Sequence, residues 1–230
     1  MSPEVTLYTY FRSSCSARLR IALALKSVPY TSIPINLLKD EQSSTANKSV
    51  NPSATVPTLI INPDPSTQNP ITTTTTITQS LAALEYLEET FPGTTPLLPP
   101  LSNPAERATV RTLCAIIACD IQPVTNLRVL QRVAPLGVDR AAWSKDLIEA
   151  GFTAYEAIAV RSAGKFSVGD AITMADVCLV PAVWGAERIG LALQGYPTIR
   201  RVAGALEREE AVRSGHWRAQ EDTPEELRFR

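Results

Sequence analysis

The chain has 230 residues, 44% of them apolar and 20% charged, and its 23 acidic and 22 basic side chains leave a net charge of −1. That length supports one large domain or two small ones with developed cores. Near-balanced charge without a long block of either sign argues against nucleic-acid binding through a broad basic face. No apolar run is long enough to span a bilayer. The segment Met1-Ser2-Pro3-Glu4 has neither a basic n-region nor an apolar h-region, so a cytoplasmic location is expected.

In chain order, Val5, Leu7 and Thr9 alternate with Thr6, Tyr8 and Tyr10, the period of a strand. From Ser16 the period becomes helical, with Ala17, Ile21, Ala24, Leu25 and Val28 on one stripe that ends before Pro29. Ile33, Ile35 and Leu37 alternate again, so the first unit reads β-α-β. Gln42 to Val50 is polar and aperiodic, a loop or a weak helix. Val56-Pro57-Thr58-Leu59-Ile60-Ile61 is a short apolar strand entered through a proline. Asn62 to Thr76, rich in Pro and Thr, suits an exposed hairpin excursion. Ser80 is placed to cap a helix with Leu81, Leu84, Leu87 and Phe91 inward and Glu85, Glu88 and Glu89 toward solvent.

The proline-rich stretch that follows reads as a linker, and everything beyond it is helical in character. Leu113, Ile117, Ile121 and Val124 form one stripe, with a kink expected at Pro123. Ile148, Phe152, Tyr155 and Ala159 form another. Thr173 and Asp176, bracketed by Ile172 and Val177, spell a capping box with a hydrophobic staple. Asp in place of the commoner Glu makes the reciprocal bond the weaker half of that motif. The expected division is an α/β domain over 1–92, a linker over 93–104 and an all-helical domain over 105–230.

The chemistry concentrates in Tyr10-Phe11-Arg12-Ser13-Ser14-Cys15-Ser16-Ala17-Arg18-Leu19-Arg20. Three hydroxyls and a thiol crowd the point where a helix begins. The N–H groups there lack intrahelical partners and the macrodipole is positive, so that end stabilises an anion, a thiolate included. One serine suffices as an N-cap. The surplus points to a site that holds sulfur ionised, either its own or a ligand's. Cys114, Cys119 and Cys178 lie in apolar helical segments, where a free Cys behaves as a small hydrophobe. No C-x-x-C occurs and the one histidine is His216, so no metal site is expected. His216, beside Trp217, reads as a surface or packing residue.

The order of elements, with Val56-Pro57 entering the third strand and Gln79-Ser80 opening the next helix, resembles the cytosolic glutathione transferases. Ser13-Ser14-Cys15-Ser16 followed by Arg18 to Lys26 resembles their zeta class, the maleylacetoacetate isomerases. Pro34-Ile35-Asn36-Leu37, Ile121-Gln122-Pro123, Val168-Gly169-Asp170, Ala186-Glu187-Arg188 and Asp222-Thr223-Pro224 extend the likeness in order along nearly the whole chain. The stretch from Asn62 to Thr76 departs from the tight turn usual in the family. The resemblance implies a thioredoxin-like N-terminal domain, an all-α C-terminal domain, a homodimer and glutathione as cofactor. It also implies a small dicarboxylic diketo acid as substrate.

It further implies that Val56, before a cis Pro57, binds the ligand's cysteine as an added strand would. Ser80 with Gln79 would receive the γ-glutamyl carboxylate, and Gln42 the glycyl end. Ser14 is the first candidate donor to the glutathione sulfur, with Ser13 and Cys15 supporting. Arg18 either adds positive charge or is a solvated or interface residue. Arg188 would clamp a substrate carboxylate. Gln122 and Asn126, four apart on one helix face, would reach the cleft from the second domain. For these three a salt bridge or polar surface is the equal alternative. The implied activity is isomerisation of maleylacetoacetate in tyrosine and phenylalanine catabolism, with glutathione transfer to small electrophiles such as α-halo acids beside it. The alternatives are a thiol transferase using Cys15 itself and a non-catalytic scaffold.

Overall fold

A computed structural model of the chain describes residues 3–63 and 73–229. The chain forms two compact units, Met1–Pro96 with Glu210–Arg230, and Leu97–Glu209. In the first, strands β1 (Glu4–Thr9), β2 (Thr31–Pro34), β3 (Thr58–Asn62) and β4 (Thr75–Ile77) form one sheet in the order β2-β1-β3-β4. β1 and β2 run parallel, with Leu7 beside Ser32. β3 is antiparallel to both its neighbours, Leu59 pairing with Leu7 on one side and Ile77 on the other. A parallel pair needs a crossover, supplied by helix α1 (Ser14–Leu25). Of the Asn62–Thr76 excursion, Asn62 closes β3 and Thr75 opens the β4 pairing; residues 64–72 lie outside the described ones.

Two local readings change for a visible reason. Leu37 does not extend β2: the Asn36 side chain accepts from the N–H groups of Leu38 and Lys39 and starts a short 3₁₀ turn over Leu37–Lys39. The polar stretch that follows folds as a second such turn over Glu41–Ser43 and then α2 (Thr45–Val50), capped by Ser44.

α1 differs more. It is buried on every side from Ser16 to Leu23, Arg18 and Arg20 included, rather than along one stripe. Helix α3 (Ser80–Thr90) covers part of it, and α9 (Glu210–Gly215), near the C-terminus, packs against it as well. A Cβ on Gly215 would stand 2.5 Å from Ile21 Cγ1, so only glycine permits that approach. The chain from Glu210 onward therefore belongs to the first unit, and the expected helical domain over 105–230 ends at Glu209.

The expected linker over 93–104 is packed at both ends. Lys26, buried, pairs with Glu88 at 2.9 Å and donates to the carbonyls of Phe91 and Thr95, at 3.3 and 3.1 Å. Glu88 thus serves a buried cation instead of facing solvent freely. On the other side of the boundary Leu97 and Leu98 are buried, and the Leu97 carbonyl accepts from Met174 N–H at 2.8 Å.

The second unit holds α4 (Pro104–Ala115), α5 (Leu127–Val133), α6 (Arg140–Ser162), α7 (Met174–Arg188) and α8 (Pro197–Leu206). The distortion expected at Pro123 is a π-helical turn over Ile116–Ile121, after which the chain leaves the helix through Pro123, which has no N–H to continue it. Ile148, Phe152, Tyr155 and Ala159 are buried as their spacing predicts. Cys114 and Cys178 are buried but Cys119, on the π-helical turn, is exposed. The Asp176 carboxylate accepts from Thr173 N–H at 2.8 Å, so the reciprocal capping bond forms, and from Ser167 N–H at 2.8 Å as well. Burial pushes the Asp176 carboxyl up while those hydrogen bonds hold it down.

Candidate active site

The site begins in the turn from β1 to α1. Ser13 N–H donates to the Tyr10 carbonyl at 2.9 Å, and the Ser13 hydroxyl accepts from Ser16 N–H at 3.1 Å. Ser13 is therefore the N-cap. Ser14 and Cys15 follow as the first two helical residues, half-buried and outside the cap. No acidic residue stands in the first turn of α1 to offset the positive end of the helix.

The Val56–Pro57 peptide is cis. Val56 precedes β3, outside the sheet ladder, and packs in one apolar cluster with Tyr10 and Phe11. The β1–α1 turn and the chain before Pro57 are thereby held side by side. Asn51 braces this loop from beneath. It is buried, donates to the Thr55 carbonyl and the Thr58 hydroxyl, both at 3.0 Å, and accepts from Ser53 N–H. Its place in a polar loop before Pro52 gave no sign of this.

Gln79, not Ser80, occupies the capping position of α3, without a side-chain capping bond. Ser80 is the first helical residue, buried, and its hydroxyl accepts from Arg18 Nη1 at 3.0 Å. Arg18 is thus neither a solvated nor an exposed residue. It is 1% exposed and ties α1 to the start of α3. Arg18 and Ser14 stand four apart on α1, so they share a face. Gln42 lies in the 3₁₀ turn over Glu41–Ser43, its amide donating to Asp40 at 2.8 Å. Its Oε1 is buried with no partner among the described residues.

Behind the turn, the buried guanidinium of Arg20 donates to Thr9 Oγ1 at 2.9 Å, to the Phe11 carbonyl at 3.2 Å and to the Gly215 carbonyl at 3.1 Å. Burial lowers its pKa to about 10, with Tyr30 and Asp222 opposing, so it is charged at neutral pH. His216 packs between Trp217 and Phe229, and its Nδ1 accepts from Arg218 N–H at 3.0 Å. Burial and nearby Arg218 push its pKa down to about 4, so the imidazole is neutral and engaged in packing.

The remaining three candidates lie in the second unit. Gln122 follows the π-helical turn, and Asn126 is the N-cap of α5, accepting from Arg128 N–H at 3.1 Å. A non-helical turn separates them, so they do not share a helix face; Pro123 is what breaks it. Arg188 is the last residue of α7 and is exposed. Among the described residues no group of His, Cys, Asp and Glu could hold a metal ion, and no helix is long and apolar enough to cross a membrane.

Residues 12–90 match the family model described as glutathione S-transferase, N-terminal domain. A maleylacetoacetate isomerase of Emericella nidulans is 76% identical over 226 residues, covering 98% of this chain and 96% of that one. Among solved structures, the holo form of a bacterial zeta-class maleylpyruvate isomerase superposes with a TM-score of 0.84 at 40% identity, covering 95% of this chain and 100% of that one. A maleylacetoacetate isomerase from Anaeromyxobacter dehalogenans, with dicarboxyethyl glutathione and citrate in its active site, gives a TM-score of 0.84 at 37% identity, covering 97% of this chain and 99% of that one. The chain belongs to the glutathione transferase family. Within that family it falls in the zeta class, beside the maleylacetoacetate isomerases.

Proposed function

We propose that the chain catalyses the glutathione-dependent cis–trans isomerisation of maleylacetoacetate to fumarylacetoacetate, a step in tyrosine and phenylalanine catabolism. One observation carries the reading. Ser13 alone caps α1, which leaves Ser14 and Cys15 half-buried at the positive end of a helix whose preceding residues Tyr10 and Phe11 pack with Val56. The 76% identical relative bears the isomerase name.

The residues present fit glutathione. Val56 has backbone groups outside the ladder for the cysteinyl unit. Gln79 and Ser80 open α3, whose N-terminus suits the γ-glutamyl carboxylate. Gln42 Oε1, buried and without a partner among the described residues, is an acceptor suited to a donor at the glycyl end. When bound, glutathione supplies a thiolate that adds to the cis double bond and leaves after the bond has turned, so it is not consumed.

Ser14 donates its hydroxyl to that sulfur, and the first N–H groups of α1 add their partial charge. A free thiol of pKa about 8.5 is only a few per cent ionised at neutral pH, and each unit of lowering is worth about 1.4 kcal/mol. One charge-directed hydrogen bond and a helix end supply that much. Ser13 positions Ser14 by holding the cap, and Cys15 lines the same end. Arg188, Gln122 and Asn126 serve the substrate carboxylates. The working form is a cytoplasmic homodimer acting on a small dicarboxylic diketo acid, with transfer to α-halo acids as a side activity.

The competing use of the site is thiol transfer through Cys15. Assaying isomerisation with and without glutathione, in the native protein and in Cys15→Ala, separates the two. The expected result is strict glutathione dependence with most of the rate kept in the variant. Loss of the rate on removing Cys15, or isomerisation without glutathione, would overturn the proposal.

A further inference from the structure

The C-terminal segment does more than cover α1. Phe11 N–H donates to the Asp222 carboxylate at 2.8 Å, across 211 residues of sequence. Arg20 takes the carbonyl of that same peptide, Tyr10 C=O at 3.4 Å, and the Phe11 carbonyl of the next one at 3.2 Å. The turn that delivers Ser13 is therefore fixed by one anion and one cation, each on a different element.

Asp222 is itself held rigidly. Arg228 donates to the Glu221 carbonyl at 2.7 Å and to the Thr223 carbonyl at 3.0 Å, bracketing it. The Thr223 hydroxyl donates to the Trp217 carbonyl, and Gln220 donates to the carbonyls of Ser214 and His216. Trp217 and Leu227 pack on the cluster of Tyr10, Phe11 and Val56, and the Arg12 guanidinium lies 5.4 Å from the Phe11 ring centre and 5.8 Å from that of Trp217. A loop tied at this many points is a preorganised support, and preorganisation is what a sulfur-directed donor requires.

We propose that Asp222 is a positioning residue for the isomerase site: by fixing the Phe11 peptide it sets the place of Ser14 at the start of α1. It acts through the Phe11 peptide N–H. The inference rests on the proposed role of Ser14, and it predicts that Asp222 governs ionisation of the bound thiol more than glutathione affinity. Gln79 and Ser80, which serve the γ-glutamyl end of the tripeptide, stand at the start of α3.

The test compares the full-length protein with Asp222→Ala and Asp222→Asn. In Asp222→Ala the ultraviolet absorbance of bound thiolate is expected to titrate about one pH unit higher, about tenfold less thiolate at a given pH. The glutathione dissociation constant by calorimetry should stay within about threefold. Asp222→Asn keeps an oxygen acceptor in place and should restore the native titration. An unchanged titration in Asp222→Ala overturns the proposal, as does an equal loss of affinity and ionisation. Hydrogen exchange on the ligand-free native protein guards against a variant that does not fold: Phe11 N–H should be protected, and exchange at the rate of an open loop overturns the proposal by itself. Neither readout uses the isomerase substrate, so an absence of turnover with these results intact would sink the catalytic reading and leave Asp222 in its place.

Discussion

Ser14→Ala should slow turnover by about 10²-fold or more while glutathione binding is largely kept, the usual scale for losing one preorganised donor to a developing anion. The size follows from the lack of a substitute. Ser13 already accepts from Ser16 N–H, and turning it toward a ligand would undo the cap at a cost of about 1 kcal/mol. The Cys15 thiol is a weak donor. The backbone N–H groups at the helix start remain, which is why a residual rate should survive. Steady-state kinetics decide the matter: kcat should fall while KM for glutathione barely moves. An unchanged kcat removes Ser14 from the chemistry.

Arg20→Met should destabilise the protein by about 2–4 kcal/mol. Two effects oppose each other. Burial disfavours the guanidinium and lowers its pKa, so deleting the charge relieves a cost. Against that, the carbonyls of Tyr10, Phe11 and Gly215 and the Thr9 hydroxyl all lose a charged donor. The Tyr10 carbonyl keeps Ser13 N–H, but each of the others left unpaired costs about 1–3 kcal/mol, so they outweigh the relief. Methionine preserves the apolar stem and isolates the lost bonds. Urea unfolding should show a lower midpoint at an unchanged slope. A midpoint equal to or above the native one would mean that the buried charge is a net burden and the turn holds without it.

Which parts of this were legible depended on the range of the interactions. The alternation of Val5, Leu7 and Thr9 gave β1, and the Thr173–Asp176 pair gave the start of α7, because strand period and helix caps are written in neighbouring residues. The serine-capped start of α1 was legible for the same reason. The roles of Arg18 and Arg20 were hidden. Helical spacing assigns a charged residue to the solvent face, but α3 and α9 leave α1 no such face, and the partners Ser80 and Gly215 are 62 and 195 residues away. The same distance concealed that Glu210–Arg230 packs with the first unit. Ser80 was misplaced by one position, within the ordinary uncertainty of a helix end. Gln122 and Asn126 lost their shared face because the chain leaves the helix at Pro123, a local break that the apolar stripe through Val124 disguised.

The proposed chemistry requires that glutathione be held as a thiolate at the start of α1. Titrating the ultraviolet absorbance of its sulfur on the native protein decides this. The midpoint should lie at least about one unit below the value of about 8.5 for a free thiol. A midpoint equal to that of glutathione in solution would contradict it.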